Sequence, residues 1–474
     1  MHAPSANGRR GKGRALALAL LAALFIVTPL IGCATQGSAP AAPAVVTKIP
    51  EVSAKNGMVA SAHPLASQAG LEILKAGGNA VDAAIATAFA IGVTEPNATG
   101  LGGEGMMVIY LEGAKKTVAI DYRSAAPAEE RKIRWPNDGH LAVAVPGTVA
   151  GLAMALEKYG TMKLAQVVEP AARLAEEGFA VSETLAGVIS DNFDPISKNE
   201  ALLAILAPDG LPLAAGQKLK NADLAKSLRA IGKGGPDVFY KGEIADAIAA
   251  DMAKNGGILT KADLAAYRAI EREPVRGTYR GYEVISAPAP VGGLSVIEIL
   301  NIFENFDISK EPRLSPRYVH LMAEAMKRGF ADNGAFIGDP AFVKVPTEVL
   351  VSKGYAKTRA AEIAEDKITP QVLPGDPTKE HPSTTHLSVV DKKGNMVSLT
   401  QTISSFWGAK VVVPGTGIIL NNEMQNWSAS GPNAYAPGKR MRTTISPTII
   451  AKDGKTFASL GTPGAARIIS TTAL

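Results

Sequence analysis

"HPSTTHLSVVDKKGN", residues 381–395, places two threonines ahead of a run in which Leu387, Val389 and Val390 read as buried strand positions. Threonine is common in strands, so two β-branched residues opening one need no special account. The chemical reading is different. An alcohol is a weak nucleophile and needs a general base. If the chain is cut before Thr384, the new α-amine becomes that base, since such an amine titrates at roughly pH 7.7–8.0. The same hydroxyl can make the cut: Thr384 attacks the Ser383 carbonyl, an N→O shift forms an ester, and water releases it. On the residues alone, both readings stand.

Outward from this stretch, the C-terminal part reads mainly as strands, at 386–391, 396–402, 410–420, 445–451 and 456–460. Earlier strands are expected at "GMMVIYLEG" and "KTVAIDYR", joined by a turn at Gly113–Lys115, and in "PVRGTYRGYEVISAPAP". Helices fill most of the rest. In "HPLASQAGLEILKAGGNAVDAAIATAFAIGV", Leu65, Ala69, Leu71, Ile73 and Leu74 mark one apolar face, and Gly77-Gly78-Asn79 ends that helix. "VDAAIATAFAIGV" is apolar nearly all round and predicts a fully buried helix. Lys163 to about Ile270 is mostly helical, as are "LSVIEILNIFENF" and "YVHLMAEAMKRGFADNGAF". Helices over a mostly antiparallel sheet, with strands concentrated late, give a layered α/β or α+β fold class.

Composition narrows the chemistry. Six histidines without ligand spacing and a single cysteine argue against a metal site, so no metal is expected. The N-terminus "GRRGKGRALALALLAALFIVTPLIGC" has the basic and apolar regions of an export signal. "LIGC", Leu30–Cys33, resembles the bacterial lipobox, which implies lipidation of Cys33; an ordinary signal peptide or a short membrane anchor are the other readings. Ala34 and Thr35 after the cysteine resemble outer-membrane sorting. Residues 1–32 then form the signal peptide and 33–52 an Ala/Pro-rich tether. Without residues 1–32, which carry four basic and no acidic side chains, the formal net charge falls from +5 to +1. The case for nucleic-acid binding falls with it.

"GLGGEG", Gly100–Gly105, matches G-x-G-x-x-G by letter. A dinucleotide fingerprint has a strand before it and a helix after it. Here a buried helix and "TEPNAT" come before, and the strand "MMVIY" comes after. Glycines that let backbones approach closely are the better reading, and no nucleotide cofactor is expected.

Several separated blocks resemble the γ-glutamyltranspeptidases, a family of N-terminal-nucleophile (Ntn) hydrolases. They are "AGGNAVDAAIATAFAIGVTEPNATGLGG", "IDYRSAAP", "AVPGTVAGLAMALEKYG", "GGILTKADLAAYRAIEREPVRGTYRGYEV", "STTHLSVVDKKGNMVSLTQTI", "GIILNNEM" and "LGTPGAARI". The resemblance spans Ser53 to Leu474. It implies a four-layer αββα sandwich and a precursor cut between Ser383 and Thr384, with residues 53–383 as large subunit and 384–474 as small subunit. Thr384 would be the nucleophile in cleavage and turnover, and Thr402 would orient it. Gly464 and Ala465 match the pair whose N–H groups form the oxyanion hole. Arg123 matches the arginine for the substrate α-carboxylate, and Thr443 and Thr444 stand at the family's Ser-Ser pair on the same group. Glu423 matches a contact of the α-ammonium. No cofactor is implied. The implied substrates are small molecules, glutathione or other γ-glutamyl donors, with water or an amino acid or dipeptide as acceptor. An exported, periplasmic, outer-membrane-anchored lipoprotein of a Gram-negative bacterium is the expected setting.

Departures bear on specificity. The family's Asp-Asp after "NN-x-M" is Gln425 and Asn426 here, and its Asn two residues after the orienting threonine is Ser404. Both changes weaken selection for an amino group, toward the glutaryl- and cephalosporin-type acylases. Ala465 replaces a glycine, and its Cβ restricts the available dihedrals. The chain also stops at Leu474, earlier than the family's small subunit, so an incomplete C-terminal part is expected. A reading of another class remains, a non-catalytic peptide-binding lipoprotein of the envelope.

Overall fold

A buried helix sets the first layer. Asn79 Oδ1 accepts from the N–H groups of Val81 (2.8 Å) and Asp82 (3.0 Å), and Asp82 Oδ2 takes the Asn79 N–H at 2.8 Å. This capping box starts the helix and leaves its first orphan donors satisfied. Helix α1 (Pro64–Lys75) precedes it and α2 (Ala80–Thr94) follows from the cap, buried at every residue. The structure is a computed structural model describing residues 51–130, 133–372 and 384–474. The readings for residues 1–32, Cys33, most of the tether and Ser383 lie outside the described residues.

The early strands are β1 (Gly57–Ser61), β2 (Glu104–Leu111), β3 (Lys116–Tyr122), β4 (Phe179–Ala180) and β5 (Lys218–Leu219). Then come β6 (Ile270–Arg272), β7 (Val275–Tyr279), β8 (Tyr282–Ser286), β9 (Thr385–Asp391) and β10 (Met396–Thr402). The last are β11 (Val412–Val413), β12 (Ile418–Ile419), β13 (Thr448–Lys452) and β14 (Lys455–Leu460). Six form one sheet in the order β1-β9-β10-β2-β3-β6, and four form a second in the order β14-β13-β8-β7. All pairs within both sheets are antiparallel.

Strand β2 shows how the layers stack. Met107 and Ile109 join Val81, Ile85 and Phe89 in the core beneath the helices. Met106, Val108 and Tyr110 point the other way, into a smaller core with Ile285, Ile445 and Ile449 of the second sheet's side. The period-2 alternation of a strand therefore feeds two apolar interfaces, and no polar face is left. The second sheet's far face packs on the helices Gly293–Phe303 and Pro316–Phe336 through Val284, Ile297, Ile299 and Leu321. The order is helix, sheet, sheet, helix, the expected αββα sandwich.

The stretch 410–420, read as one strand, is instead the hairpin β11–β12. Pro414 cannot donate to a ladder, Gly415 and Gly417 hold φ of 75° and 66°, and Thr416 Oγ1 donates to the Val413 carbonyl at 2.9 Å. "GLGGEG" joins α2 to β2 as a close backbone approach. A Cβ on Gly102 would fall on the Ile419 carbonyl oxygen and one on Gly103 on that of Thr402, while one on Gly105 would lie 2.6 Å from that of Thr400. The Gly103 carbonyl accepts from the N–H groups of Gly147 (2.8 Å) and Thr148 (3.1 Å), where α3 (Thr148–Tyr159) begins.

Candidate active site

The register of the large sheet lines up four side chains. Strands β9 and β10 pair Thr385 with Gln401, and β10 and β2 pair Thr402 with Glu104. Strands β2 and β3 pair Gly105 with Tyr122. One residue further along each register, Thr384 falls opposite Thr402 and Glu104 opposite Arg123. Cross-strand partners share a face of the sheet, so Thr384, Thr402, Glu104 and Arg123 form a row over four adjacent strands.

At one end, Thr384 Oγ1 donates to Thr402 Oγ1 at 3.3 Å, and the same oxygen accepts the Ser404 N–H at 2.8 Å. Thr385 points to the opposite face, where its hydroxyl meets Glu95 Oε2 at 3.2 Å. Burial pushes the Glu95 carboxyl up, and the Thr385 hydrogen bond opposes that shift. The two threonines of "STTH" are thereby separated by the pleat alone: Thr385 is buried under α2, and Thr384 stands in the row.

At the other end, Arg123 is fully buried and ion-paired with Glu104, also fully buried. Its Nη2 donates to Glu423 Oε2 at 3.3 Å and to the Met441 carbonyl at 3.5 Å. Burial lowers the guanidinium's pKa from its ordinary value, and Glu423 acts against this. Glu104 also takes the Ser124 N–H at 2.6 Å, and Tyr267 holds the Arg123 carbonyl through its hydroxyl at 2.8 Å. Behind them Asp121 lies between Arg440 (2.8 Å) and Arg272 (2.7 Å).

Ser404 and Asn426 connect the two ends. Asn426 Nδ2 donates to Ser404 Oγ and to Glu423 Oε2, both at 2.9 Å. Gln425 Nε2 donates to Ser405 Oγ at 2.8 Å. A continuous path then runs from Thr384 through Thr402, Ser404, Asn426 and Glu423 to Arg123. Ser404 holds φ of 79°, a left-handed backbone uncommon for a residue with a side chain.

A second pair lies in "LGTPGAARI", where the oxyanion donors are expected. Gly464 has φ of 131° and Ala465 of 52°. Their carbonyls accept from the N–H groups of Arg467 (3.1 Å) and Ile468 (2.9 Å). The Ala465 carbonyl also accepts the Thr444 hydroxyl at 2.7 Å. Thr443 is half-buried and held by its N–H on the Pro290 carbonyl at 3.2 Å. Glu104 is the site residue missed from the sequence. Its signal is a lone carboxylate among glycines, opening an otherwise apolar strand.

The Gamma-glutamyltranspeptidase family profile matches residues 66–474. The chain belongs to the γ-glutamyltranspeptidase family. It is 45% identical to the glutathione hydrolase proenzyme of Escherichia coli (strain K12), over 93% of this chain and 81% of that one. Similarity to the acylase ACY 1 proenzyme of Pseudomonas sp. (strain SE83) is 44%, over 88% and 78% of the two chains. Among solved structures, the cephalosporin acylase from Bacillus halodurans superposes with a TM-score of 0.84 at 36% identity, covering 92% of this chain and 82% of that one. This γ-glutamyltranspeptidase-family fold is therefore shared with proteins named for both hydrolase and acylase activity.

Proposed function

We propose that the chain is an autoprocessing γ-glutamyl hydrolase and transferase with Thr384 as its N-terminal nucleophile. The observation that carries this is the row itself: a threonine hydroxyl paired to Thr402 at one end, and a buried guanidinium flanked by carboxylates at the other. Thr384 Oγ1 attacks the Ser383 carbonyl, the acyl group shifts from N to O, and water hydrolyses the ester. This frees the Thr384 α-amine and divides the chain into 53–383 and 384–474, which stay together.

In turnover the amine takes the hydroxyl proton as Thr384 Oγ1 attacks the γ-amide carbonyl of glutathione or a related donor. The N–H groups of Gly464 and Ala465 face the oxyanion; one such donor is typically worth about 3 kcal/mol or more. The leaving amine departs with the proton, and the γ-glutamyl ester on Thr384 is resolved by water or by an amino acid or dipeptide amine. Arg123, Thr443 and Thr444 receive the α-carboxylate, and Glu423 with Asn426 receives the α-ammonium. Mass spectrometry tests the reading: a fragment beginning at Thr384, absent in Thr384→Ala, supports it, and an intact mature chain that is folded overturns it.

A second reading, a glutaryl-type acylase on the same machinery, is favoured by the neutral Asn426 and the acylases among the relatives. Paired γ-glutamyl and glutaryl anilides separate the two. A γ-glutamyl preference above roughly a thousandfold, about 4 kcal/mol, excludes the acylase. We also propose export, with lipid attached at Cys33 and an outer-membrane anchor in the periplasm. The basic and apolar leader and its "LIGC" end support this, and loss of fatty-acid labelling in Cys33→Ala tests it.

A further inference from the structure

We infer that Glu104 sets the donor preference by keeping the pocket around Arg123 negatively charged, so that γ-glutamyl donors are chosen over glutaryl donors although Asn426 is neutral. This rests on the γ-glutamyl reading above and names a specificity-determining residue for it.

Glu104 sits in the row between Thr402, its cross-strand partner, and Arg123. Glu104 and Arg123 are fully buried, and Glu423 is 2% exposed. One guanidinium between two carboxylates leaves a single negative charge without a match. Further back, Asp121 and Asp339 face Arg440 and Arg272, and the buried Lys439 lies against Asp339 with its Nζ on the Ala434 carbonyl, so none of these pairs directly with Glu104 or Glu423. Water cannot screen the remainder at such burial, so it is left for the ligand to compensate.

The two donor classes differ in just this respect. A γ-glutamyl donor carries an ammonium and a carboxylate on its α-carbon and is neutral there. A glutaryl donor brings the carboxylate alone, adding a second unmatched negative charge. Asn426 offers the ammonium no charge, because its amide is neutral; its nitrogen donates to Glu423 and Ser404. The charge that discriminates then comes from the Glu104–Arg123–Glu423 group. Glu104 also fixes the chain leaving Arg123 by taking the Ser124 N–H, so its removal must be neutral in shape.

The experiment compares kcat/KM for γ-glutamyl- and glutaryl-p-nitroanilide on protein shown to be cleaved before Thr384. In Glu104→Gln, the γ-glutamyl over glutaryl ratio should fall about 10- to 100-fold, mainly through KM. In Glu104→Gln/Asn426→Asp, which returns one negative charge at a different atom, the ratio should recover. An unchanged ratio, or equal losses on both donors that Asn426→Asp does not repair, overturns the inference and leaves Glu104 a structural brace. If Glu104→Gln does not fold, Glu104→Asp and Glu104→Asn decide, since they share a shape and differ in charge. A ratio about tenfold or more lower in Glu104→Asn than in Glu104→Asp supports charge-based choice, and equal ratios overturn it. A wild-type chain that is not cleaved, or turns over neither donor, fails the functional reading itself and is seen before any variant is made.

Discussion

Thr444 donates its hydroxyl to the Ala465 carbonyl at 2.7 Å, and Ala465 holds φ of 52°. A Cβ in the left-handed region costs on the order of 1 kcal/mol, which a hydrogen bond of about 1 kcal/mol net can offset. Ala465→Gly should relieve that strain. After subtracting the greater freedom of glycine in the unfolded chain, a gain of about 0.5 kcal/mol or slightly more is expected in the urea midpoint. Thr444→Val should lose about 1 kcal/mol and, if the proposed oxyanion role of Gly464 and Ala465 holds, lower kcat, because the peptide next to them is released. A lower midpoint in Ala465→Gly would show that the alanine is not strained there.

Thr402 Oγ1 accepts from both Thr384 Oγ1 and the Ser404 N–H, so Thr402→Val removes two contacts at once. Thr384, the proposed nucleophile, loses its hydroxyl partner, and Ser404, already at φ of 79°, loses the bond that holds its turn. A misplacement of about 1 Å at a reacting atom costs on the order of 10²-fold. The expected result is a kcat lower by about that factor with KM within a few-fold, and slower appearance of the Thr384 fragment. Thr402→Ser should recover most of both. If Thr402→Val keeps the wild-type kcat, the 3.3 Å contact does not orient Thr384.

Local pattern made part of this legible. The apolar run of α2, the strands read at 386–391 and 396–402, and the close backbone approach of "GLGGEG" all follow from periodicity and element order. Sheet order does not. Glu104 and Thr402 are neighbours only because β2 pairs β10, far apart in the chain, and Glu104 meets Arg123 only through the β2–β3 register. No local spacing encodes the β2–β10 pairing, and the β2–β3 turn is legible without fixing which residues stand opposite each other. The residues named at the site came from the family resemblance, which carries no word on Glu104. The 410–420 stretch misled for a physical reason: its apolar residues are strand-like, but Pro414-Gly415 turns the chain between them.

Gly103 tests the close-approach reading of "GLGGEG". A Cβ there would fall on the Thr402 carbonyl oxygen, which is backbone and cannot rotate away. Gly103→Ala should therefore cost about 1–3 kcal/mol or more as overpacking, read as a lower melting temperature. It should also lower kcat, because the strain is delivered to Thr402. Added NAD should not shift the melting temperature of the wild type, whereas a nucleotide loop would bind it and raise the midpoint. A Gly103→Ala protein as stable as wild type would show that the backbones separate at little cost.

His386 should make the fold acid-sensitive. The residue as a whole is half-buried, yet its ring is walled in by Gly461 and bonded at Nδ1 to Thr400 Oγ1 (2.9 Å) and at Nε2 to Ser388 Oγ (3.1 Å). Desolvation lowers its pKa from 6.5 to about 3. The folded state therefore holds the ring neutral, while the unfolded chain takes up a proton below about pH 6.5. Between those two values the unfolded state binds more protons, so stability falls as pH is lowered, by up to about 1.4 kcal/mol per pH unit from this group. Above pH 7 both states are neutral at this residue and the slope vanishes. Carboxylates add their own acid dependence, so the decisive quantity is the difference between wild type and His386→Gln in urea titrations from about pH 4 to 6. The variant should show a shallower slope by about that amount, and parallel slopes would mean that the ring is charged within the fold.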